Sequence, residues 1–206
     1  MSRMNHPRLV AVLLAVTLLG GCARQFATSY SAAIPAATSA GWSLADVRVA
    51  VPEGLTVSES RTIYPQADIV WREGPGTDRR AEVAALIDAA ATAALAPLSG
   101  PRPVVLDITV ERFHAMTFEA ERVLSDAGVH DIRFTARVSD AATGEVLAGP
   151  EPLQAALPAH SGSRMVAERA SGQSQGTQIS AHLQRVFAGW FGIGPDPRGT
   201  FRRLGG

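Results

Sequence analysis

From Asp46 onward apolar and polar side chains alternate: Val47, Val49 and Val51 share one face, and Asp46 and Arg48 the other. A period of two marks a strand with one buried face, and Pro52 and Gly54 end it. A short extended piece over 55–58 follows. Another over 67–71 puts Ile69 and Trp71 on one side before the breaker Gly74-Pro75-Gly76. The period then lengthens. Val83, Leu86, Ile87, Ala90 and Ala94 recur at helical spacing, which predicts a helix from a cap at Thr77 or Asp78 to Ala96, stopped by Pro97. Alternation returns twice. Val104, Leu106, Ile108 and Val110 oppose Asp107, Thr109 and Glu111; Ile132, Phe134, Ala136 and Val138 oppose Arg133, Thr135, Arg137 and Ser139. The connection 116–128 has room for a helical turn. The stretch 140–145 reads as a turn, because Gly144 can take positive φ and Asp140 can bond the backbone ahead. A returning strand starts at Val146-Leu147, breaks at Gly149-Pro150 and continues towards Ala156. The last segments, 165–169 and 179–191, are helical; Ile179, Leu183, Val186, Phe187 and Trp190 form one stripe, ended by Gly192, Gly194 and Pro195.

Strands with one polar face, interleaved with few helices, imply an α/β (α+β) two-layer sandwich: a mostly antiparallel sheet covered by one or two helices. The domain is expected over 42–195. Before it, 22–41 is rich in Ala, Ser and Thr and nearly free of charge, so a flexible tether is expected there. After it, 196–206 reads as a disordered basic tail, with Arg198, Arg202 and Arg203 around Phe201.

The first residues carry an address. Arg3 and Arg8 precede an apolar run, Leu9–Leu19, that is shorter than the roughly 20 residues of a membrane-spanning helix. Residues 1–21 therefore read as a cleavable export signal. Leu19-Gly20-Gly21-Cys22 resembles the lipobox of bacterial lipoproteins. That resemblance implies cleavage between Gly21 and Cys22, acylation of the Cys22 thiol and the new amino terminus, and anchoring by several acyl chains. Ala23 follows where inner-membrane retention in enteric bacteria usually shows aspartate, so by analogy the expected place is the outer membrane, facing the periplasm. Cys22 is the only cysteine, so the domain must hold together without disulfides.

Composition narrows the functions. Hydrophobic residues make up 46% and charged residues 18%, ordinary for a globular domain. The 19 basic residues, all arginine, balance 19 acidic ones; without Arg3 and Arg8 the acidic residues prevail by two. Such a chain lacks the basic footprint of a nucleic-acid binder. His114, His130, His160 and His182 show no metal-ligand spacing, although His114 ends one predicted strand and His130 starts the next, where a shared metal would need them close. Asp107 and Glu111 lie roughly 13 Å apart along a strand, too far for a carboxylate dyad. No Gly-x-Ser-x-Gly elbow occurs, and the Gly-x-x-x-Gly of 172–176 lacks the ending of a phosphate loop. No catalytic residue, cofactor or metal is therefore assigned. Two surface features suggest partner or membrane contact: the aromatic helix end Phe187, Trp190 and Phe191, and the tail arginines Arg202 and Arg203.

Gly128-Val129-His130-Asp131-Ile132-Arg133-Phe134, the run from Asp140 to Leu147, the stretch 172–176 and the region 185–190 resemble a family of alphaproteobacterial lipoproteins of unknown function. Its motifs are structural, and it brings no active site to transfer. In architecture the chain is also loosely similar to auxiliary lipoproteins of envelope transport and lipopolysaccharide assembly. The expected role is a membrane-anchored, non-enzymatic binding or assembly accessory with an envelope protein partner. A self-associating structural lipoprotein and an envelope hydrolase using His114 or His130 are the alternatives.

Overall fold

The computed structural model describes residues 24–125 and 127–204. In chain order the elements are β1 (Arg24–Ser29), α1 (Ala36–Ser39), β2 (Trp42–Ala50), β3 (Ile69–Val70), α2 (Arg79–Leu95), β4 (Arg102–His114), α3 (Phe118–Val123), β5 (Val129–Asp140), β6 (Val146–Ala155), β7 (Leu157–Pro158), α4 (Gly162–Ala170), α5 (Gln175–Trp190) and β8 (Gly199–Arg203). The strands form one mostly antiparallel sheet in the order β2-β4-β5-β6-β1-β8, with β3 beside β4 and β7 beside β5. Among the described strands β2–β4 and β3–β4 pair in parallel, because α2 crosses over between them.

The alternation in the strands decides which face is covered. Val104, Leu106, Ile108 and Val110 of β4, with Ile132, Phe134, Ala136 and Val138 of β5, turn to the helices and are buried. A bulge between Val110 and Arg112 then resets the pleat, so that Phe113 is buried again. Helix α2 begins where its cap was expected: Asp78 accepts from the backbone N–H of Arg80 and Ala81 at 3.0 and 3.1 Å. It packs on α5, and their apolar stripes close the core. Phe134 and Phe187 bring their rings to 5.4 Å; Trp42 and Trp190 each meet Phe191 edge-on. The opposite sheet face stays polar, and Arg137 pairs there with Asp107 at 3.1 Å.

Two expectations are corrected. The tether reading of 22–41 fails from Arg24, because Phe26, Thr28 and Tyr30 are buried and β1 pairs with both β6 and β8. The tail is not disordered over Gly199–Arg203. It is the edge strand β8, and Phe201 stacks on Phe26 at 5.7 Å. The main core already takes in Tyr30 and Ile34, before Trp42, and the sheet is incomplete without the segments on either side of 42–195. No helix among the described residues is long and apolar enough to cross a membrane.

Candidate functional site

A groove of about 670 Å³ opens where β1, β7 and β8 meet α4 and α5. Thr28, Pro158, Thr200 and Phe201 line it from the sheet, and Thr177, Gln178, Ala181 and His182 from α5. Its charged lining is entirely basic, Arg164, Arg185 and Arg203, and the imidazoles of His160 and His182 lie among them. Arg185 and Arg203 make no ion pair among the described residues, whereas Arg164 is 4.0 Å from Glu168. Glu168 also approaches His160 Nδ1 at 3.2 Å but does not itself line the groove. Helical spacing brings His182 and Arg185 to one side of α5, where i and i+3 are neighbours.

Hydrogen bonds fix how the inner wall is used. The Thr28 hydroxyl donates to the Ala156 carbonyl at 3.0 Å, so its oxygen is free to accept from His182 Nε2, also at 3.0 Å. That leaves His182 Nδ1 as the acceptor, on the side of Arg185. The threonine proton is committed to a carbonyl, so this pair does not form a nucleophile with its base. Burial, aided by the Arg185 charge, pushes the His182 imidazole down to about 4, and it is neutral at neutral pH. Behind the groove, His130 is fully buried and burial pushes it down to about 3. Neither ring nitrogen has a well-formed protein hydrogen bond, and the Oε1 of the adjacent Gln178, a groove-lining residue, has none either.

The histidine pair expected to meet across neighbouring strands does not. The register sets His114 opposite Asp131, so His130, one residue earlier, points to the other face. His114 reaches the Pro65 carbonyl at 3.2 Å instead. It sits in a second, polar pocket of about 260 Å³ with Arg24, Arg112, Asp131, Arg133 and Tyr64. Asp131 is held there by Arg112 at 3.0 Å and Arg133 at 2.8 Å. Among the described residues no three His, Cys, Asp or Glu side chains are placed to hold a metal ion.

The partner-contact reading of Phe187, Trp190 and Phe191 is overturned: all three are at most 1% exposed, because that end of α5 presses into the sheet and Trp42. Arg202 is exposed on β8, and Arg203 lines the basic groove while reaching the Ala159 carbonyl. Gly21 and Cys22 lie outside the described residues. The Gly-x-x-x-Gly stretch does open a helix, but its anion is internal. Glu73 accepts from the N–H of Gln175 at 3.0 Å and of Gly176 at 2.7 Å, at the start of α5. Burial raises Glu73, yet these two amides, Ser174 and Arg169 outweigh it and hold the carboxyl below its ordinary range. Arg169 also grips Glu121 at 2.6 and 2.8 Å, tying α3, α4 and α5 together. Nothing in the spacing of Glu73, Glu121 and Arg169 announced this knot.

In backbone shape the chain is similar to several solved structures at low sequence identity. A candidate lipoprotein from Caulobacter crescentus CB15 is 13% identical, with a TM-score of 0.33, over 78% of this chain and 97% of that one. The PelC dodecamer from Paraburkholderia phytofirmans is 13% identical, TM-score 0.34, over 80% and 96%. A Xanthomonas campestris protein of family DUF330 is 16% identical, TM-score 0.38, over 76% and 90%. No curated protein matches the chain. Residues 42–206, from the first core tryptophan through the edge strand, match one family of unknown function, and this chain belongs to it: DUF6778.

Proposed function

We propose that this chain is an envelope lipoprotein, anchored through Cys22 to the outer membrane and facing the periplasm. It serves there as a non-enzymatic binding or assembly accessory whose groove takes an anionic group of its ligand or protein partner. The observation that carries the reading is the all-basic charged lining of the groove, in which Arg185 and Arg203 pair with no carboxylate among the described residues. A guanidinium with no carboxylate beside it offers its donors to phosphate or carboxylate, often two at a time. Anchor and export signal come from the sequence alone.

The test is binding of inorganic pyrophosphate to the full-length protein in detergent, measured by calorimetry beside an Arg185→Ala/Arg203→Ala variant. The double variant is expected to bind at least about tenfold more weakly, in line with the loss of charge-assisted hydrogen bonds. Parent binding should also weaken with added salt. No binding by the parent, or equal binding by both proteins, would reject the groove as an anion site. In vivo crosslinking from a photoreactive residue at Gln173, on the groove rim, then identifies the partner.

A further inference from the structure

The anchor and the body are joined by almost no chain. Strand β1 starts at Arg24, already paired with Arg203, and only Ala23 separates it from Cys22. Two Cα–Cα steps of 3.8 Å let Arg24 stand at most roughly 7 Å from the residue that would carry the acyl chains. That is about the depth of the headgroup layer on one side of a bilayer. With Cys22 acylated, whatever surrounds Arg24 lies against the membrane.

What surrounds it is suited to that place. Leu204 follows Arg203, and its carbonyl accepts from the N–H of Gly128 at 2.9 Å. Gly128 in turn borders an apolar hollow with Tyr64 and Leu124. Tyr64, Val123 (next to Leu124) and Leu204 are each more than half exposed, three of the six large apolar side chains left uncovered among the described residues. Arg24 and Tyr64 also share the polar pocket with Arg112 and Arg133, where three guanidinium groups face the single carboxylate of Asp131. Arg202 is exposed beside them on β8. An apolar fringe with an aromatic side chain, interleaved with surplus arginine, is the chemistry of a surface that rests on anionic phospholipid.

We propose that this end of the sheet, formed by Arg24, Arg202, Leu204, Tyr64 and Val123, is a membrane seat. It holds the body directly on anionic phospholipid headgroups rather than at the end of a tether. The proposal rests on the lipoprotein reading for its anchor and adds a fixed orientation to it. Strand β5 then runs away from the bilayer, and its twelve residues carry the 140–145 turn roughly 36 Å from the seat.

Site-specific labelling tests the orientation. Full-length Tyr64→Cys, Leu204→Cys and Thr143→Cys proteins each take one bimane label at the new site if acylation has consumed Cys22, and the same three substitutions in a Cys22→Ala protein keep the label unique if it has not. They are reconstituted in vesicles containing phosphatidylglycerol and titrated with aqueous iodide. Labels at 64 and 204 are expected to be quenched several-fold less than the label at 143, and Arg24→Glu/Arg202→Glu should remove much of that protection. Mass spectrometry of Cys22 separates the two ideas. Acylated Cys22 with equal quenching at all three sites overturns the seat and leaves the lipoprotein reading standing. Unmodified Cys22 with labels 64 and 204 still protected overturns the anchor and supports a seat that binds by its own charge and apolar fringe. Unmodified Cys22 with equal quenching removes both.

Discussion

Acidification from about pH 7.5 to about pH 5 should weaken the fold through two imidazoles that the native state keeps neutral. His130 and His182 have their protonation pushed down to about 3 and about 4, each chiefly by burial. Unfolded, both return to the ordinary value near 6.5. Between the two values the unfolded chain binds protons that the native one refuses. The stability these groups contribute is therefore complete above about pH 6.5 and is lost as pH falls from there towards 3. At about pH 5 the linkage relation gives about 2 kcal/mol lost per histidine, or roughly 4 kcal/mol together, an order of 8–16 °C in Tm for a domain of this size. The value for His130 already contains the charge of Glu73, which favours its cation, and those of His160 and His182, which oppose it. Most carboxylates stay ionised above about pH 5, so the window belongs to the histidines. Urea unfolding read by the fluorescence of the buried Trp42, Trp71 and Trp190 measures it. In His130→Leu the difference between the two pH values should shrink by about 2 kcal/mol, whatever happens to stability at neutral pH. An unchanged difference would show that His130 accepts a proton in the native state, and the burial argument would be wrong.

Two further outcomes follow from packing and capping. Trp190→Ala empties a site at the junction of α5, Phe191 and the sheet, and should cost about 3–5 kcal/mol in urea unfolding while pyrophosphate binding by the folded fraction stays unchanged. Asp78→Ala removes the acceptor for two N–H groups at the start of α2 and should cost about 1 kcal/mol, with Asp78→Asn losing less; equal losses would point to charge rather than capping.

What the sequence made legible follows from how local each signal is. Helix α2 could be read to within a residue or two because cap, stripe and stop lie together between Asp78 and Pro97. Strands β4 and β5 were legible because every second side chain enters the same core. Strands β1 and β8 were not. Arg-Gln-Phe-Ala-Thr-Ser and Gly-Thr-Phe-Arg-Arg each carry a single large apolar residue, and Phe26 is buried by Val129, Ala156 and Phe201, all far along the chain. The aromatic stripe of α5 was read in the correct register, but a stripe cannot say whether its far end is covered; Trp42 and the sheet cover it. The basic groove was invisible for a related reason. His160 and Arg164 come from around the start of α4, His182 and Arg185 from α5 and Arg203 from β8, so no spacing links the three segments.

The pairing of β1 with β6 and β8 also sets an order of events. Strand β1 has both partners far along the chain: Thr28 meets Ala156 across 128 positions, and Phe26 waits for Phe201. Such long loops close slowly, so β1 must pass through synthesis and any export as a lone strand with its hydrogen-bonding edges open. An edge of that kind is a template for pairing with other chains. Until Gly199–Arg203 pair with it, β1 stays open to misassembly, and β8 is the clasp that ends the hazard.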